Sequence, residues 1–71
     1  MEKLIYRVKQ HGMYIGEIIA NQDNKVFFRH YKKGSWISKL YDNVGALMDH
    51  LALFKNEKIV LEKRGRYEKV R

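Results

Sequence analysis

MYIGEIIANQDNKVFFRHY, residues Met13 to Tyr31, decides how this chain is built. Met13 to Ala20 is rich in branched residues that suit extended backbone, and Asn21-Gln22-Asp23-Asn24 is the strongest turn signal in the sequence. Asn and Asp tolerate left-handed backbone and bond locally to nearby amides. From Lys25 to Tyr31 the chain alternates again, with Val26, Phe28 and His30 on one side and Phe27, Arg29 and Tyr31 on the other. Period two is the pattern of a half-buried strand, so the segment reads as two antiparallel strands joined by a tight turn.

Upstream, Leu4, Tyr6 and Val8 alternate with Ile5, Arg7 and Lys9, and Gln10-His11-Gly12 turns this strand into the next. Downstream, Lys32-Lys33-Gly34-Ser35 reads as a further turn and Trp36 to Tyr41 as a returning strand or an extended approach to a helix. Asp42 or Asn43 then caps a helix whose apolar stripe is Val44, Leu47, Met48, Leu51 and Phe54. That spacing places all five on one helical face, which packs on the sheet. Lys58 to Glu62 is a last strand, and polar, basic sequence follows. The expected fold class is α+β: a small antiparallel β-sheet of three to five strands in a meander, one α-helix packed on one face, and a basic C-terminal tail. Residues 1–62 form the compact domain and 63–71 the tail.

Seventy-one residues with 45% hydrophobic and 13% aromatic content suffice for one small core. The chain has no cysteine, so neither a disulfide nor a thiolate metal site supports it. No apolar run approaches the roughly 18 residues that cross a bilayer, and the N-terminal sequence lacks a signal-peptide pattern. A cytoplasmic protein without membrane attachment is expected.

The formal net charge is +7, and it is segregated. Between Lys25 and Tyr41 stand five cations, no anion and five aromatic rings. From Lys63 to Arg71 five cations face one anion, and the remaining segments carry net negative charge. Cations that neutralise phosphates beside rings that accept bases suit a nucleic acid, DNA or RNA.

Strict alternation would put Leu4, Tyr6, Val8, Ile18, Val26, Phe28, Trp36 and Leu40 under the helix. The bare face would then carry Ile5, Ile15, Ile19 and Ile37 with the basic and aromatic residues. The candidate nucleic-acid contacts are Arg7, Lys9, Phe27, Arg29, Tyr31, Lys39 and Tyr41 on that face, Lys32 and Lys33 in the turn, and Arg64 and Arg66 in the tail. The competing expectation is a small regulator or inhibitor that docks this apolar and basic face on a larger protein or on a second copy of itself.

Nothing in the sequence forms a catalytic or metal-binding pattern. His11, His30 and His50 lack ligand spacing, and Gly12 and Gly16 match no phosphate-binding loop. No enzyme, cofactor or metal is expected.

Overall fold

The structure is a computed structural model that describes residues 2–31, 36–55 and 59–63, together with the backbone of 66–69. Among the described residues five strands, β1 (Lys3–Gln10), β2 (Met13–Ala20), β3 (Val26–His30), β4 (Ile59–Lys63) and β5 (Arg66–Lys69), form one sheet in the order β3-β2-β1-β4-β5. Every pairing is antiparallel. A helix, α1 (Val44–His50), and a 3-10 turn at Ala52–Lys55 lie between β3 and β4. The fold is α+β. Its first three strands are a meander, and β4 returns after the helix to the free side of β1.

The turns follow from local chemistry. His11 and Gly12 both adopt positive φ, 53° and 79°, between the paired residues Gln10 and Met13. Two successive left-handed residues match the right-handed twist of a two-residue hairpin. Asn21 organises the next turn: its side-chain oxygen accepts from the amides of Asp23 and Lys25, and Asn24 takes φ 61°.

One face of the sheet is the core. Val8, Ile18, Val26, Phe28, Ile59 and Leu61 meet Leu47 of α1 and Phe54 of the 3-10 turn, all buried. Phe28 is at the centre, edge-on to Phe54 with ring centroids 5.4 Å apart. Gly16 makes room for it, since a Cβ there would stand 2.3 Å from the Arg29 carbonyl oxygen and 2.6 Å from the Phe28 ring.

The helical stripe continues to Phe54, but not as one helix. Asn43 caps α1 by accepting from the Ala46 amide at 2.8 Å. Leu51 then turns to extended backbone (φ −84°, ψ 119°), its amide still bonded to Leu47, and the 3-10 turn delivers Phe54.

Trp36 to Tyr41 lies along the outer side of β3 without forming a regular strand. It makes two isolated bridges, Arg29 with Ile37 and Val26 with Tyr41. Between them the buried Ser38 hydroxyl accepts from the Phe28 amide at 2.9 Å and donates to the Lys39 carbonyl at 2.8 Å. A side chain thus takes the bond that a backbone carbonyl would make in a ladder.

Strict alternation also fails where the register slips. Between Leu4 and Tyr6 the pairing with β2 shifts by one, and a second shift lies between Val8 and Lys9. Each extra residue reverses the faces beyond it. Ile5 and Ile15 therefore pack against the core, contrary to the expected bare-face placement, while Leu4 pairs with Ile19 on the opposite side.

Candidate nucleic-acid interface

The sheet face away from α1 is organised in cross-strand rows. Leu4, Ile19 and Phe27 make an apolar row, in which Ile19 and Phe27 are each only 5% exposed. Next to it, Glu62, Arg7, Glu17 and Arg29 stand in register across four strands with alternating sign. Arg29 donates to Glu17 at 3.2 Å and lies 3.6 Å from Glu2. Beyond that row Val60, Lys9 and Tyr14 stand in register. The Lys9 ammonium lies 4.8 Å from the centre of the Tyr14 ring, Arg7 approaches the same ring at 5.9 Å, and the Tyr14 hydroxyl donates to Glu62 at 2.6 Å.

The candidate contacts are thus dispersed rather than gathered on one platform. Arg7, Lys9, Arg29 and Tyr31 share the bare face, but Glu17 and Glu62 are interleaved with their charges. The Tyr31 hydroxyl donates to Glu17 at 3.2 Å, and partial burial followed by that carboxylate raises the phenol above its ordinary pKa. Phe27 is part of the buried floor. Tyr41 is on the helix side, where it pairs with Val26, packs against the core and lies 5.5 Å from the His50 ring. The expected joint projection of Arg29, Tyr31, Lys39 and Tyr41 from the bare side therefore does not occur. The irregular bridging between Ile37 and Tyr41 is the reason.

Lys39 is exposed, with its ammonium 5.5 Å from the Tyr41 ring centre. Lys32, Lys33 and Arg64 lie outside the described residues. Arg66 pairs with Lys63 through the backbone of β5. Tyr14, Glu17 and Glu62 were not among the expected site residues. Glu17 could have been found by asking which β2 residue faces Arg7 and Arg29, whereas Tyr14 reaches this face only because of the register slip at Ile15.

Just over half of the large exposed hydrophobics among the described residues lie beside β3, the others on β1 and β2. Among the described residues the large exposed hydrophobics are Leu4, Met13, Tyr14, Tyr31, Trp36, Ile37 and Leu40, and four of these belong to the end of β3 and the segment beside it. Trp36 is 46% exposed although its ring leans on Phe28 at 6.4 Å. Lys39 lies among them and makes no ion pair with a described residue. Comparison with protein-family models, curated proteins and solved structures returned no match. No described helix is long and apolar enough to cross a membrane.

Proposed function

We propose that this chain is a small, non-catalytic, cytoplasmic nucleic-acid-binding protein whose contact surface is the rim beside β3. One observation carries the reading. The described parts of the acid-free stretch, residues 25–31 and 36–41, border this rim, and Tyr31, Trp36, Ile37 and Leu40 are exposed there. Cations on such a surface draw in phosphates while the rings meet bases. Lys32 and Lys33 add charge to the same stretch, and Arg64 and Arg66 supply a second basic segment. No cofactor enters the reading.

Titration of labelled DNA and RNA at several salt concentrations tests it. Engagement of about five phosphates gives a slope near −4.5 in log affinity against log salt for duplex and about −3.5 for a single strand. A flat response, or no binding at low salt, overturns the proposal.

A second reading has its own support. The Glu62, Arg7, Glu17 and Arg29 row is self-neutralising and borders Tyr14 and Tyr31, and tyrosine and arginine are favoured where proteins dock. On this reading the bare face binds a larger protein or a second copy of the chain. Solution mass at several concentrations detects self-association, and partners that persist after nuclease treatment favour this alternative.

A further inference from the structure

We infer that the rim beside β3 takes single-stranded rather than duplex nucleic acid, an inference that rests on the nucleic-acid reading above. Three observations carry it. First, the sheet face that would enter a duplex groove is closed to that use: Arg29 is engaged by Glu17 and Glu2, and Glu62 and Glu17 flank Arg7 in the register. An arginine held by carboxylates is not available for paired hydrogen bonds to guanine, and the same carboxylates repel backbone phosphates.

Second, the accessible rings are at the rim. Tyr31 and Trp36 are 45% and 46% exposed, beside Ile37 and Leu40. Duplex bases already stack on one another, so side-chain rings of this kind find partners in unpaired bases. Third, the two rings stand on opposite sides of the rim. Tyr31 bonds to Glu17 on the bare face, whereas Trp36 leans on Phe28 on the helix side. A ligand that touches both must bend around the sheet edge. A single strand does so readily, while a duplex resists bending over about 150 base pairs. Lys39, exposed between Ile37 and Leu40 in the sequence, supplies a phosphate contact along that path.

Trp36 is the only tryptophan, so its emission reports the site directly. The full chain is titrated at low salt with a short oligothymidine, an oligouridine of the same length and a blunt duplex of that length. Both single strands are expected to quench Trp36. In anisotropy measurements on labelled oligothymidine, Trp36→Ala and Tyr31→Ala are each expected to weaken binding about tenfold, the scale of one base stacked on one ring. Circular dichroism checks the fold of each variant. Should Trp36→Ala unfold, Tyr31→Ala and the quenching of the unmodified chain decide. Tighter binding of the duplex with Trp36 emission unchanged overturns the strand preference and leaves nucleic-acid binding standing. Failure of all three ligands to bind overturns both.

Discussion

Two glycines show how one substitution acts by two routes. At Gly12 a methyl group would meet nothing within 4 Å, but φ is +79°. Replacement by alanine there costs only the left-handed backbone penalty, about 1–2 kcal/mol. At Gly16 the backbone is ordinary strand and the obstacle is a carbonyl oxygen and the Phe28 ring. The carbonyl belongs to β3 and cannot move without disturbing its pairing, so Gly16→Ala is expected to cost about 3 kcal/mol or more. Urea unfolding of the two variants should rank them in that order, and equal losses would show that β3 yields. Tyr31 gives a second test. Partial burial, then the Glu17 charge and hydrogen bond, hold its phenol protonated above the ordinary value of 10.0. The associated stability is present below the unfolded pKa and is lost as pH rises through the folded one. Absorbance titration of Glu17→Gln should show the phenol ionising at lower pH than in the unmodified chain, with some elevation left by burial. An unchanged midpoint would mean that burial alone raises it.

Elements were legible where a regular period continued and illegible where the backbone slipped. Val8, Ile18, Val26 and Phe28 were assignable to the core by alternation alone, and Val44, Leu47 and Phe54 by helical spacing. Ile5 and Ile15 were not, because each sits at a register slip that is set by the pairing of β1 with β2 and leaves no mark on either residue's own chemistry. The charged row was hidden for a different reason. A stretch free of acids in sequence acquires Glu17 from the adjacent strand β2, and Arg29 also meets Glu2, only once the pairing is known. The segment beside β3 was legible as extended but not as irregular, since Ser38 alone diverts the Phe28 amide from ladder pairing. Ser38→Ala removes that acceptor from a buried amide, a loss of about 1–3 kcal/mol. The measurement that separates this from generic destabilisation is amide hydrogen exchange. Phe28 should lose protection while Val26, whose amide donates to the Tyr41 carbonyl at 2.8 Å, keeps its own. Equal loss at both positions would mean that the segment detaches as a unit.

At the scale of the whole molecule the question is how a chain of net charge +7 remains folded within 31 × 25 × 22 Å. At about 0.01 M salt the screening length is about 30 Å, so every charge acts on every other and the surplus cations repel across the entire domain. At about 0.15 M that length falls to about 8 Å, and only neighbours interact. The attractive pairs are short: Arg29 to Glu17 is 3.2 Å, and Lys25 bonds directly to Asp42. Screening therefore removes the long-range repulsion well before it removes the local attraction, and exposed pairs such as Lys25 with Asp42 contribute little in any case. Unfolding by urea, which adds no ions, should show a midpoint that rises between these two salt concentrations. A midpoint that falls instead would mean that the alternating Glu62, Arg7, Glu17 and Arg29 row outweighs the repulsion. The surplus charge would then not act as a field over the whole domain, and a polyanion would gain less from it than the net charge implies.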